Sequence, residues 1–249
     1  IIPTLNGGDD FLLCLDGIKR QEYEGEIQLI VIDSGSTDGT IEADEQAGAI
    51  IKKINKEDFS HSKTSNEAIT LARCEKTVLM VQDAIPASKN LFSTMDNAID
   101  EYGVAAAYGA QIPREDADLY ARFEVETHRE HLGKEPLIQQ IKSEKLLKKE
   151  EYDVILRNVR LDNVCAIYRT ELLKKYPFPD VSFAEDMAWA AKVMIHGHKI
   201  LFHPDIIVRH SHNRSPAYRF RRAVANSIAC MQIMGRVKYN VTHLNLSLY

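Results

Sequence analysis

The sequence has 249 residues, of which 45% are hydrophobic and 27% charged, with a formal net charge of −5. This is the composition of a globular protein with enough chain for one large α/β domain or two small ones, and the negative balance argues against a dedicated nucleic-acid binder. No apolar run approaches the ~20 residues that span a bilayer, and no signal peptide is expected.

The charge is unevenly spread. Asp205 is the last acidic residue, and Arg209, Arg214, Arg219, Arg221, Arg222, Arg236 and Lys238 follow it. The final segment is therefore basic, which suits a diphosphate or an anionic membrane surface, although a solvated helix face has the same pattern. Cys14, Cys74, Cys165 and Cys230 are far apart and form no C-x-x-C pair, so reduced thiols in a reducing compartment are expected, with neither disulfides nor a zinc site. The chain begins without Met inside a strand-like stretch, as expected of an excised piece or of a chain lacking a residue or two. The N-x-[ST] matches at Asn213, Asn240 and Asn245 read as chance.

In chain order, Ile1-Ile2-Pro3-Thr4 reads as a first strand entering the loop Leu5–Gly8, with Asp9 or Asp10 capping the helix that follows. Ile27 to Ile32 is an apolar, β-branched run of strand length, expected to be buried on both faces as in a parallel sheet. It opens into Asp33-Ser34-Gly35-Ser36-Thr37-Asp38-Gly39-Thr40, and a helix is expected from Thr40 to about Ala47. Ligands of open α/β sheets sit outside the carboxyl ends of the strands. An acidic, hydroxyl-rich loop there suits a base or ribose and suits phosphate poorly. A plain turn capped by Asp38 or Thr40 fits the same residues equally well. Ala49–Ile54 completes a strand–helix–strand–helix–strand repeat.

Asp58–Ala68 reads as a polar loop leading into a helix over Asn66–Arg73, with Lys63 and several hydroxyls at its start. That is either an anion site or simple capping. Thr77–Val81 is a buried strand ending in Gln82-Asp83. A carboxylate there can hold a hard divalent cation or merely cap the turn before Pro86. A helix over Leu91–Tyr102 and a strand over Val104–Ile112 follow. Pro113–Asp153 is highly charged and reads as a helical excursion outside the sheet, of the kind that carries partner specificity. Asp162–Arg169 returns to the core as a strand. Glu185 and Asp186 open an apolar helix, where they complement its dipole or supply a general base. Lys199–Phe202 and Ile206–Val208 are strand-like. Five histidines fall between 196 and 212, one of which can share a metal with Asp83. From Tyr218 onward the chain is helical and basic.

Taken together, Pro3-Thr4-Leu5-Asn6, Asp33-Ser34-Gly35-Ser36-Thr37-Asp38-Gly39-Thr40, Gln82-Asp83-Ala84 and Glu185-Asp186 resemble a family 2 glycosyltransferase of GT-A fold over nearly the whole chain. His61…Thr64…Asn66, Asn163–Arg169 and Val208-Arg209-His210-Ser211-His212 resemble its rhamnosyltransferase-like branch. The resemblance implies a Rossmann-like α/β domain over 1–249 with a mostly parallel central sheet flanked by helices. Residues 1–112 would bind the nucleotide sugar and 113–205 the acceptor, with a basic C-terminal helical segment over 206–249. It implies inverting transfer from a nucleoside diphosphate sugar, such as dTDP-rhamnose or a UDP-hexose, to a polysaccharide or lipid-linked glycan. The setting would be the cytoplasm, at the inner face of the membrane. Carried over residue by residue, Pro3, Thr4, Asn6, Asp33, Ser34, Ser36, Lys63, Asn66, Gln82, Asp83 and Arg214 would contact the nucleotide sugar. Asp83 and His210 would hold Mg2+ or Mn2+, Asp186 would be the general base, and Glu185 would orient the acceptor. The chain departs from the family pattern at Val81, where the first aspartate of a D-x-D motif would stand, and at Ser65, where the branch often has Arg. The latter leaves phosphate contact to Lys63 or Arg214.

Two other function classes are weighed against this one. A sugar-nucleotide-binding module without turnover would not need Asp83, Asp186 and His210 together. A Rossmann oxidoreductase would need a G-x-G-x-x-G after the first strand, and none is present.

Overall fold

The computed structural model describes residues 1–141, 152–181 and 183–235. Three parallel strands open the fold: β1 (Ile2–Thr4), β2 (Ile30–Asp33) and β3 (Ile50–Lys53), in register as Ile2↔Val31, Thr4↔Asp33 and Asp33↔Lys53. Helices α1 (Gly8–Lys19) and α2 (Thr40–Gln46) make the crossovers. Gly7 precedes α1, so Asp9 and Asp10 fall in its first turn and do not cap it. β2 is buried throughout but starts later than expected, and Ile27 is 45% exposed. The reason is Gln28, whose side chain bonds Leu71 O and Arg73 N and ties this stretch to a helix end in place of a strand neighbour. β3 is the outer strand and carries Lys52 and Lys53, a common guard of an open edge.

The amide of Met80 bonds Ile1 O at 3.1 Å, which sets β1 beside β4 (Lys76–Met80). Beyond β4 the sheet is mixed. β8 (Cys165–Arg169) runs antiparallel to both β4 and β6 (Ala106–Ile112), and β9 (Ile200–Arg209) is parallel to β6. Two short strands, β5 (Ile85–Pro86) and β7 (Leu137–Gln139), both pair antiparallel with β9. The first half is thus parallel as expected. The reversal of β8 carries no sequence signal, because an apolar run buried on both faces looks the same in either direction. Alternate residues serve opposite faces: Ile167 and Leu201 join one core around Phe11, Met95 and Ile99, while Tyr168 and Phe202 join another around Trp189.

Three expected elements change. Helix α3 spans His61–Leu71 and therefore includes the hydroxyl-rich stretch read as a loop. α4 (Leu91–Glu101) is as expected. The charged excursion forms α5 (Leu119–Leu132) but then gives β7 to the sheet, so it is not wholly outside it; residues 142–151 lie outside the described ones. The two strands expected at the end are one strand, β9, which runs through Pro204. A register jump from Tyr108↔Phe202 to Ala110↔Ile207 absorbs the proline. Gly109 sits at that jump, where a Cβ would lie 1.8 Å from Ile206 O. Helices α6 (Tyr152–Val159), α7 (Thr170–Lys175), α8 (Glu185–Ile195) and α9 (Pro216–Ile233) complete the fold. None of the four cysteines is in a disulfide among the described residues. Among the described residues no helix is long and apolar enough to cross a membrane.

Candidate active site

The carboxyl ends of β1, β2, β4, β6 and β9 share one edge of the sheet. Because β8 is reversed, its beginning joins them: Cys165 stands opposite Met80. The loops after β1 and β2 are sewn together at this edge. Buried Asp33 accepts from the amides of Gly35 and Ser36, both at 2.9 Å, and from the hydroxyls of Ser36 and Thr4. Burial pushes its carboxyl up, but the bonds from Ser36, Gly35 and Thr4 outweigh it and hold the group below the usual range. Asn6 adopts φ 47°, rare for a residue with a side chain, and accepts from Thr37 N at 2.8 Å. Ser36 Oγ accepts from Asn6 N, and Asp38 accepts from Gly8 N and caps Thr40. Two polar groups behind the loop have no partner among the described residues: Ser34 Oγ and both carboxylate oxygens of Asp44 on α2. Burial, with Asp33 nearby, pushes the Asp44 carboxyl up to about 7.

Next along the edge is a cluster with metal-ligand chemistry. The β5–β9 pair Ile85↔Arg209 brings the residues just before Ile85 to those just after Arg209. Asp83 therefore meets His210 and His212. Its Oδ1 lies 3.6 Å from His210 Nε2 and its Oδ2 lies 3.6 Å from His212 Nδ1. One ligand atom from each of the three falls within 4.8 Å of the others. Burial raises the Asp83 carboxyl, but the two imidazoles prevail and hold it down at about 2. Burial, with His210 beside it, lowers His212 to about 4. At neutral pH both groups are thus in the deprotonated state that a metal needs. One carboxylate and two imidazoles fit Mn2+ or another divalent cation that accepts both oxygen and nitrogen. The sequence reading took His210 and passed over His212. The signal was the H-x-H spacing, which puts both rings on one side of an extended chain.

The third group lies at the start of α8. Ala184 precedes the helix at φ 57° and ψ 44°, a left-handed conformation unusual for alanine, and turns Glu185 and Asp186 toward the start of β8. Asp186 accepts from Met187 N at 2.8 Å and Asn163 N at 3.2 Å. Glu185 accepts from Asn163 Nδ2 at 3.1 Å, and the buried Tyr168 hydroxyl donates to Asn163 Oδ1. Burial first, then the charges of Glu185 and Asp162, pushes the Asp186 carboxyl well above the usual range. That suits a group that must accept a proton near neutral pH.

Other expected ligands are placed differently. Gln82 bonds the backbone of Leu5 in both directions, accepting from its N–H at 2.9 Å and donating to its C=O at 3.3 Å. Asn66 does the same to Phe178, at 2.9 Å each way. Both amides brace backbone beside the edge where the nucleotide sugar is expected. Asp33 and Thr4 bond each other, and Asp33 also bonds the loop that follows it. Lys63 pairs at the surface with Asp180 at 3.2 Å. Arg214 is exposed and stacks on Tyr218 at 4.9 Å. Pro3 is a half-buried member of β1 opposite Ile32.

The family model described as "Glycosyltransferase like family 2" matches residues 1–229. The chain belongs to glycosyltransferase family 2. This glycosyltransferase is 32% identical over 229 residues to the O-antigen chain rhamnosyltransferase RfbN of Salmonella typhimurium, covering 89% of this chain and 68% of that protein. It is 31% identical over 225 residues to WbaN of Salmonella anatum, with the same coverage. A solved mannosyltransferase from Pyrobaculum calidifontis, in complex with GDP-Man and Mn2+, matches 99% of this chain and 68% of its own at TM-score 0.64 and 18% identity. Glucosyl-3-phosphoglycerate synthase from Mycobacterium tuberculosis, with Mn2+, UDP-glucose and phosphoglyceric acid, matches 95% and 79% at TM-score 0.63 and 17% identity. The glycosyltransferase therefore has the GT-A fold that its sequence resembles.

Proposed function

We propose that this enzyme transfers L-rhamnose from dTDP-rhamnose, with inversion, to a growing bacterial surface glycan or its lipid-linked precursor. The observation that carries the donor is the 32% identity to an O-antigen chain rhamnosyltransferase along most of the chain. The chemistry is supported by the division of the edge into two centres. Asp186 takes the acceptor hydroxyl's proton as that oxygen attacks the sugar, and Glu185 orients the acceptor. Asp83, His210 and His212 hold the divalent cation, which when bound neutralises charge on the departing diphosphate. The sewn loops after β1 and β2, with Asn6 and Ser36 at the surface, form the nucleoside side. Lys63 and Arg214 remain the cations within reach of phosphate by sequence reading.

The acceptor side is supported by a groove of about 800 Å³ lined by Tyr120, Phe123, His128, Arg157 and Arg160 among others, since aromatic faces and guanidinium groups suit sugars and diphosphates. Exposed Phe220, Arg221 and Arg222 on α9 support contact with the cytoplasmic face of the membrane. The experiment is calorimetric binding of dTDP-rhamnose, UDP-glucose and UDP-galactose, each with Mn2+ and with EDTA. Metal-dependent binding of dTDP-rhamnose alone is expected. Preference for a UDP-sugar would replace the rhamnosyl assignment with hexosyl transfer on the same fold.

A further inference from the structure

His210 faces Asp83 with Nε2 and faces Gln111 with Nδ1, which lies 2.8 Å from the Gln111 Oε1. Gln111 is in β6, paired with Val208 of β9. Its Nε2 donates to Asp162 Oδ2 at 2.6 Å, and the other Asp162 oxygen accepts from Val164 N at 3.0 Å. Gln111 is thus fixed by the β6–β9 ladder, and Asp162 lies three residues before the start of β8.

The order of donors along this row follows from elementary chemistry. A carboxylate only accepts hydrogen bonds, so Asp162 selects the NH₂ end of the Gln111 amide. The amide oxygen is then left toward His210, and it too only accepts. The imidazole must supply the proton from Nδ1. A neutral imidazole has one N–H, so Nε2 is left with a lone pair. In that tautomer Nε2 turns its lone pair toward a carboxylate oxygen 3.6 Å away. Two electron-rich atoms held face to face in this way are complementary to a cation.

We propose that Gln111 is a positioning residue for the metal centre: anchored by Asp162, its amide oxygen holds the Nδ1 proton of His210 and leaves the Nε2 lone pair aimed at the cation shared with Asp83. The inference rests on the metal assignment under Proposed function and adds to it two residues that touch no substrate. It also gives Asp162 a task, which the sequence reading did not.

The test uses the full chain with ¹⁵N-labelled histidine, first without metal at neutral pH, and then Mn2+ titration followed by calorimetry. The expected result is an Nδ1–H tautomer at His210 in the unsubstituted protein. Gln111→Leu should mix the two tautomers and weaken Mn2+ binding ~10–100-fold, the range for groups that orient metal-bound histidines. The double change Gln111→Glu with Asp162→Asn reverses the first donor–acceptor pair but keeps an acceptor on His210, and should bind Mn2+ within ~3-fold of the original. A purely structural role would give no such rescue. An Nε2–H tautomer in the unsubstituted protein overturns the proposal. So does unchanged Mn2+ affinity in a folded Gln111→Leu protein, or lost affinity in a folded double variant. Absence of Mn2+ binding in the unsubstituted protein would overturn the metal assignment instead, and the tautomer measurement would still decide the role of Gln111.

Discussion

The Nδ1 of His212 stands 3.6 Å from Asp83 Oδ2, the carboxylate oxygen that His210 does not face. The carboxylate is thus gripped from two sides by rings that meet edge to face at 4.7 Å. If all three are ligands, His212→Ala should weaken Mn2+ binding at least ~10-fold, since even groups behind the ligands cost that much. Asp83→Ala should weaken it further. Calorimetric Mn2+ titration of the two proteins checks both, and equal affinity in His212→Ala would remove that ring from the set.

Asp186 is the proposed base, and its folded pKa is raised. The group therefore loses its proton only as pH climbs past that value, so turnover should rise with pH on the acid limb. Asp186→Asn should cut turnover ~10²–10⁴-fold and abolish that limb while leaving donor affinity within twofold. Glu185→Gln should shift the limb to lower pH, because one of the charges that raise Asp186 is gone. Rate–pH profiles of the three proteins decide the matter.

Asp44 gives a stability prediction. Its folded pKa of about 7 exceeds the ~3.9 of an unfolded aspartate. The folded state holds the proton more tightly, so stability falls as pH rises from about 4 to about 7 and is level outside that window. Asp44→Asn keeps the shape and removes the charge. It should stabilise the protein on the order of 2–3 kcal/mol at pH 8 and about a third as much at pH 5. Thermal melts at the two pH values test this, and equal shifts at both would reject it.

Gly109→Ala would drive a methyl group into Ile206 O at the register jump. The backbone on both strands would have to move, at a cost of more than ~4 kcal/mol. The β9 end that presents His210 and His212 would move with it. A lower denaturation midpoint together with weaker Mn2+ binding is expected, whereas a normal midpoint would mean the jump is easily remodelled.

Asn66→Ala removes two hydrogen bonds to the Phe178 backbone. A loss of ~1–3 kcal/mol in stability is expected, with donor affinity unchanged. A donor defect in a protein of normal stability would return Asn66 to the binding site.

What the sequence disclosed depended on how local the cause was. The Asp33–Thr40 loop was visible because an apolar run stops at a carboxylate and two glycines, and these do lie at a strand end. Asp83 and Glu185-Asp186 were visible for similar reasons of position. The backbone bonds of Asn66 and Gln82 were not visible, because an amide bonds a backbone as readily as a ligand and only the fold shows which backbone it meets. β7 is three residues long and is recruited by β9, so nothing in Leu137–Gln139 announces it. Gln111 and Asp162 gain meaning only from being 2.6 Å apart, across a sequence separation of 51 residues.

Among the described residues β9 is the last strand in chain order and yet it is interior, with β6 on one side and β5 and β7 on the other. It also carries the chain to both histidines opposite Asp83. The chain up to α8 supplies the nucleoside loops and the proposed base but leaves an open slot in the sheet. A cation held by Asp83 and the two histidines would therefore report that β9 is seated between β6 and β5.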